Sequence, residues 1–429
     1  MKIVLDLQPM QTGSRYRGIG RYTINITKSL AKCASENVTI VGILNRYLGH
    51  IKEIRHDLNG YIDGENIKIF NILPPVLYEN DNNAINIASS ELLLDDFVSS
   101  LSPDIFHCFS LFEGFDCYNA VTCLTKPSYF IKSVTHHDLI PLHDGTLRST
   151  SFRRWYAGKI RAIRHADTVF AVSEYTKNDL VVTGDIPHEK VNVAYGSHTL
   201  EGFTSPTMQY QLADRVLQRN GASNKFILSS PGGFDDSKNI DNLIVAYSLL
   251  PRHIQELYDL VLTSTIDANK IAWYKNIGYE NCIIGKIIFT GYITDHELVA
   301  LMTKCSLFVL PSINEGFGLP AVEAMACGAP VITSNTTSLP EVTGLEEELF
   351  DPKSPRDISE KINVALTNES CTEKLKNNSR SRSDFFSWDK SASKMLEVWK
   401  QLALRQTEWV GDRMPWSSRT LNKELDDGS

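Results

Sequence analysis

Several common signatures are missing from this 429-residue chain. It has no Asp-x-Asp triplet and no side-chain cluster with metal-ligand spacing, so no metal and no other cofactor is expected. Its eight cysteines are scattered and form no Cys-x-x-Cys pair. Buried free thiols are therefore expected rather than a zinc site or a disulfide framework. No apolar stretch approaches the roughly 18 residues that span a bilayer. The opening run Met1–Leu7 meets Asp6 at once, too soon for a secretory leader. Basic excess is also absent: 43 Lys and Arg face 51 Asp and Glu, a net charge of −8. A nucleic-acid partner is not expected, and a cytoplasmic protein is.

What is present is enough apolar sequence, 42% of residues, to fill two cores. Short β-branched runs alternate with amphipathic stretches, the pattern of parallel α/β architecture. Strands are expected at 2–7, 38–44, 105–108, 133–135, 168–172 and 191–193, with a Gly/Arg-rich loop over 13–20 and a helix over 21–34. A polar stretch with a short helix over 209–219 marks an interdomain connection at 201–224. A second series of strands follows at 226–229, 259–262, 287–290, 307–310 and 331–333. The fold class is α/β, with two Rossmann-like doubly wound domains at 1–200 and 225–385 facing a central cleft. A C-terminal helix over 386–411 is expected to pack back toward the first domain, and 412–429 reads as a polar tail. In such sheets, ligands bind outside the carboxyl ends of the strands.

The most informative segment runs from Pro311 to Gly328. A buried strand ends at Leu310, a turn carries Gly316 and Gly318, and Pro320 suits the start of a helix capped by Gly328. That geometry exposes backbone amides around Gly316, Phe317, Gly318 and Leu319 at a helix N-terminus, which favours anions and sugar hydroxyls. Glu315 precedes the turn and Glu323 is expected in the first helical turn. Carboxylates accept hydroxyl hydrogen bonds in pairs, which suits the vicinal diols of sugars.

Positions 315–328 resemble, nearly residue for residue, the two-glutamate segment of the family-4 retaining glycosyltransferases of GT-B fold. Phe289-Thr-Gly-Tyr-Ile, Asp295-His-Glu-Leu and Ser338-Leu-Pro-Glu-Val continue the resemblance. The resemblance implies that Glu315 contacts the donor hexose and Glu323 the ribose diol, with the amides of Phe317 and Gly318 near the sugar and diphosphate. Ser338-x-x-Glu341 also reads as a capping box.

Other segments add weaker signals. Gly18 and Gly20, in Gly18-Ile-Gly-Arg-Tyr22, sit where backbone can approach a phosphate or sugar, although Thr23 replaces the third glycine of a dinucleotide fingerprint. In His136-His137-Asp138, the family pattern selects His137 to meet donor or acceptor. Gly232 and Gly233 lead to Lys238, a point charge suited to the leaving diphosphate. The arginine that the family usually carries there is missing, which leaves open what Arg15, Arg17 and Arg21 do. The stretch 147–165 is basic without an acid. Its Arg153, Arg154, Trp155 and Lys159 are candidates for an acceptor or for peripheral contact with the inner face of the cytoplasmic membrane, against the plainer reading of a helix packed on its own sheet.

The expectation is a retaining, metal-independent hexosyltransferase of O-antigen or capsule type. The donor is a nucleotide-sugar, GDP-mannose as first guess. The acceptor is a carbohydrate, a growing lipid-linked glycan. An inactive subunit that binds nucleotide-sugar or glycan, and a sugar-nucleotide epimerase or phosphorylase of the same fold, are the competing readings.

Overall fold

The computed structural model describes residues 1–79, 81–115, 117–124, 128–143, 149–199 and 206–413. Leu147 and Arg148 of the basic stretch, residues 201–205 of the expected connection and 414–429 of the polar tail lie outside the described residues.

Seven strands build the first sheet: β1 (Lys2–Asp6), β2 (Thr39–Asn45), β3 (Ile67–Phe70), β4 (Ile105–Cys108), β5 (Ile131–His136), β6 (Thr168–Ala171) and β7 (Val191–Val193). Their order is β3-β2-β1-β4-β5-β6-β7 and every pairing is parallel. The second sheet holds β8 (Phe226–Ser229), β9 (Asp259–Leu262), β10 (Ile287–Phe289), β11 (Leu307–Leu310), β12 (Val331–Ser334) and β13 (Leu349–Phe350). It runs β10-β9-β8-β11-β12-β13, again all parallel. The central strands are buried on both faces, which is why they read as unbroken apolar runs rather than alternating ones.

Strand order reverses between β1 and β4 in the first sheet and between β8 and β11 in the second. A crevice opens outside the carboxyl ends of strands at such a switch point. The loops that follow these four strands carry the 13–18 turn, the Gly232-Gly233 turn and the Glu315–Gly318 turn.

Three expectations are corrected by the structure. The first helix is Gly18–Cys33, so Gly18 and Gly20 belong to its first turn and not to a loop. Gly20 has a packing reason: a Cβ there would lie 2.4 Å from the Arg15 Cα. The segment Leu319–Ala326 is helical from Gly318, so Glu323 falls in the second turn, past the first. Of the eight free cysteines only Cys108 and Cys305 are buried, and Cys282 is exposed. Their scatter serves local packing at different depths.

The C-terminal helix Trp388–Arg413 crosses back and lies along the Gly18–Cys33 helix. Trp399 is fully buried in the first domain. Its indole N–H donates to the Ser133 hydroxyl at 2.9 Å, and its ring meets His107 and Phe170. Trp388 donates to the carbonyl of His198 at 3.1 Å and packs edge-on against Tyr22.

Asp6 ends β1 with no exposure to solvent, accepting hydrogen bonds from the backbone and side chain of Gln8. Burial lifts its carboxyl to about 7, whereas an unfolded aspartate ionises near pH 4. Between those values the unfolded chain gives up the proton and the folded one keeps it, so stability falls as pH rises through this window. Asp6→Asn removes the titrating group and should flatten that slope. Urea melts at pH 4.5 and 8 check it, and an unchanged slope would refute the assignment.

Candidate functional site

At the second sheet's switch point, Gly232 takes a positive φ of 74° and nothing lies within 4 Å of the position a Cβ would occupy. The turn is open where backbone could meet a ligand. Lys238, at the end of the short 236–238 turn, reaches Glu315 Oε1 at 2.7 Å. Both side chains are largely enclosed, 16% and 12% exposed. Burial works against the ammonium, but the carboxylates of Glu315, Asp235 and Asp138 outweigh it and raise the Lys238 pKa. Lys238 is therefore a fixed cation at neutral pH.

Glu315 is held on several sides. Ser312 Oγ donates to it at 2.8 Å, and its own N–H donates to Thr337 Oγ1 at 3.1 Å. The Ser338 hydroxyl lies 3.0 and 2.9 Å from the carbonyls of Glu315 and Phe317. The capping-box expectation is thus overturned. Ser338 makes no cap bond, because its hydroxyl serves the 315–317 loop. Glu341 crosses the cleft instead, accepting from the N–H groups of Glu174 and Tyr175 at 2.9 and 3.2 Å and from the Tyr195 hydroxyl at 2.6 Å.

The same loop is pressed against the first domain. Ser173 and Thr176 hydroxyls donate to the Gly316 carbonyl at 2.7 and 3.0 Å. A Cβ on Gly316 would lie 2.0 Å from the His137 carbonyl oxygen, far inside contact distance. Gly316→Ala should hold the domains apart, enlarging the radius of gyration in small-angle scattering and lowering the melting temperature. A variant as compact as the parent would show that the loop yields instead. Phe317 packs its ring on Tyr195 and Phe386, so only its backbone remains for a ligand. Leu319 lies near Gly18 and Gly196 on the facing wall.

His137 stands at the end of β5, its Nε2 3.0 Å from the Phe109 carbonyl and its ring edge-on to Tyr22. Burial pushes its pKa down to about 4, so it offers a neutral imidazole rather than a charge. His136 is more deeply buried, and its ring nitrogens have no hydrogen-bond partner among the described residues. Asp138, raised by burial, accepts from the Ile140 N–H at 3.1 Å.

Glu323 meets a partner that sequence reasoning did not assign. Arg21 Nη1, from the first domain, donates to its Oε1 at 2.6 Å, while Nη2 pairs with Asp295. Burial raises the Glu323 pKa and Arg21 partly offsets the rise. These residues lie 302 positions apart, and no local pattern could have joined them. Glu113, which accepts from Thr12 and Ser14 and so pins the turn before the first helix, was equally invisible.

Lys159 does not belong to an exposed basic face. Its side chain is 8% exposed, donates to Thr122 at 2.8 Å and pairs with Glu91, because the helix Thr150–Ile163 packs that side into the first domain. Trp155 is half-buried among Phe112, Phe115 and Phe152, whereas Arg153 and Arg154 are exposed. Among the described residues no helix is long and apolar enough to cross a membrane, and no three His, Cys, Asp or Glu side chains converge as a metal site would need.

Comparison with known proteins fits this geometry. Residues 16–197 match the family model Glycosyltransferase Family 4, and residues 215–382 match Glycosyl transferases group 1. The serotype-specific mannosyltransferase WbdA of Escherichia coli is 31% identical over 94% of this chain, which spans 48% of that protein. The chain thus covers about half the length of this relative. O-antigen chain mannosyltransferase B of E. coli is 23% identical over 94% of this chain and its own whole length. Among solved structures, Anabaena Alr3699/HepE in complex with UDP and glucose superposes with a TM-score of 0.67 at 17% identity, covering 94% of this chain and 100% of that one. That likeness extends the two-domain GT-B arrangement to the present fold.

Proposed function

The chain belongs to the glycosyltransferases of family 4 and group 1, and from that premise we propose that it moves a hexose from a nucleotide-sugar to a growing, lipid-linked glycan. The observation that carries the reading is the Lys238–Glu315 pair beside the open Gly232-Gly233 turn, with Glu323 on the helix that follows Glu315. An ammonium fixed among carboxylates can pass to the leaving diphosphate when the donor enters. Glu315 is then free to accept the sugar's hydroxyls.

In this reading Glu323 takes the ribose diol, and the loop amides meet the sugar and diphosphate. His137, held neutral with its Nε2 proton on the Phe109 carbonyl, accepts a hydrogen bond at Nδ1 from the hexose or the acceptor. The reaction is retaining and proceeds without a metal, Lys238 and the loop amides stabilising the departing charge. Mannose is favoured as the transferred hexose because WbdA and mannosyltransferase B carry mannose in their names, and GDP-mannose is taken as its donor. Arg153 and Arg154 on the exposed face of the 150–163 helix are kept as a membrane-surface contact.

A thermal-shift panel with GDP-, UDP- and dTDP-sugars tests the donor. Stabilisation by GDP-mannose above the others is expected. A panel flat with every nucleotide-sugar but shifted by oligosaccharide would favour the inactive, glycan-binding subunit. Anomeric analysis of the product by NMR tests retention, and undiminished transfer in EDTA tests independence from metal.

A further inference from the structure

A cavity of about 660 Å³ opens at the amino ends of β11 and β12, the opposite end of the second sheet from the cleft. Small-molecule sites fall in this size range, and none of the donor residues lines it. Part of the wall is apolar, with Ala326, Ala329, Pro330, Ala365 and Leu366. Tyr210, on the helix Pro206–Arg219 of the interdomain connection, and Tyr258 also border it.

Three cations line the cavity, Lys304, Lys376 and Arg380, and among the described residues no carboxylate does. Lys304 has a local reason to be there. It closes the helix Asp295–Lys304, and its ammonium pairs with Asp214 and lies 3.3 Å from Asn224 Oδ1. Lys376 and Arg380 are placed differently. With Thr372 they stand at i, i+4 and i+8 on the helix Glu369–Ser383, one stripe facing the cavity. Lys376 meets Glu373 at 3.0 Å, whereas Arg380 has Asn377 Oδ1 at 3.4 Å and no carboxylate among the described residues. Like charges one turn apart repel each other. An anion seated across them removes that repulsion, and guanidinium and ammonium groups both suit phosphate oxygens.

We propose that this cavity is a second nucleotide site, taking a nucleoside diphosphate with its phosphates on Lys376 and Arg380 and its base on Tyr210. A bare diphosphate would leave the apolar wall and both phenols uncovered. Tyr210 is 47% exposed, so its ring is open for a base to stack on. The site is separate from Lys238 and Glu315 at the carboxyl ends of the strands. The helix Leu319–Ala326 joins the two places, because it carries Glu323 while Ala326 and Gly328 at its end line the cavity. The inference goes beyond the donor assignment and stands whether or not the transferase reading holds.

Calorimetric titration of the full chain with GDP and, in parallel, with UDP counts the sites. With at least one of them, an equivalent should appear that Lys376→Glu combined with Arg380→Glu abolishes and Glu323→Ala leaves alone. Both replaced side chains reach solvent, so the charge-reversed variant should melt and transfer sugar as the parent does. Tyr210→Ala should weaken the same equivalent about tenfold and leave inorganic pyrophosphate binding there unchanged. Absence of such an equivalent would overturn the proposal, as would pyrophosphate binding as tightly as the nucleotide. So would a charge-reversed variant whose only loss is co-sedimentation with phosphatidylglycerol vesicles, which would give the cavity to a lipid headgroup. The donor reading predicts another equivalent with the reverse sensitivity, weakened by Glu323→Ala alone, so either reading can fail while the other stands.

Discussion

Replacing Lys238 with alanine is expected to lower kcat by roughly 10²–10³-fold, the usual effect of removing one preorganised group that meets developing charge. The donor's dissociation constant should move less, because the charge on the leaving diphosphate grows toward the transition state. The substitution also strands Glu315, whose side chain is only 12% exposed. Breaking such a pair costs about 3–5 kcal/mol when fully buried and less here, where water has access. Melting curves measure the second effect and saturating-donor kinetics the first. Lys238→Arg keeps the charge with a different reach and should fall between. A folded Lys238→Ala protein with parental kcat would remove Lys238 from the chemistry.

Glu323→Ala should weaken donor binding by roughly 1.5–3 kcal/mol, the value of a hydrogen bond to a charged group. The Arg21 contact gives this prediction a second part. Arg21 occupies Oε1, and a carboxylate has sites to spare on its other oxygen. Arg21 is therefore expected to steady Glu323 for the ribose, not to compete with it. Arg21→Ala should reduce affinity by less than Glu323→Ala, and the double variant should be no worse than Glu323→Ala alone. Without Arg21 the carboxyl, already raised by burial, should hold its proton to still higher pH. The donor affinity of Arg21→Ala should then decline earlier on acidification than the parent's. Additive losses by calorimetry would show that the two residues act independently.

How much of this was readable in the sequence depends on the range of each interaction. The strand 307–310, the turn after it and the helix 319–326 follow from local signals: an apolar run, then glycine, then proline. The edge strands β3 and β13 were missed. One is four residues interrupted by Lys68 and the other only two residues long, too short for any periodicity to register. The interdomain contacts were opaque for another reason. Ser338 and Glu341 have the spacing of a helix cap, and only the facing domain supplies the partners that draw Glu341 away. Arg21 opened the expected helix over 21–34 with no partner to assign until the fold placed it opposite Glu323. Lys159 counted as one positive charge among several, whereas burial depends on which side of its helix faces the sheet.

Trp399 also sets an order of events during synthesis. The seven strands of the first domain are complete once Val193 is made, yet the side chain that fills the space beside Ser133, His107 and Phe170 comes about 200 residues later. At about 5–20 residues per second a ribosome needs on the order of 10–40 s to reach it. For that interval the nascent first domain exposes the hydrophobic seat of a tryptophan whose loss typically costs about 3–5 kcal/mol. The second domain is made during the wait, so a helix made after it closes the core that was begun first.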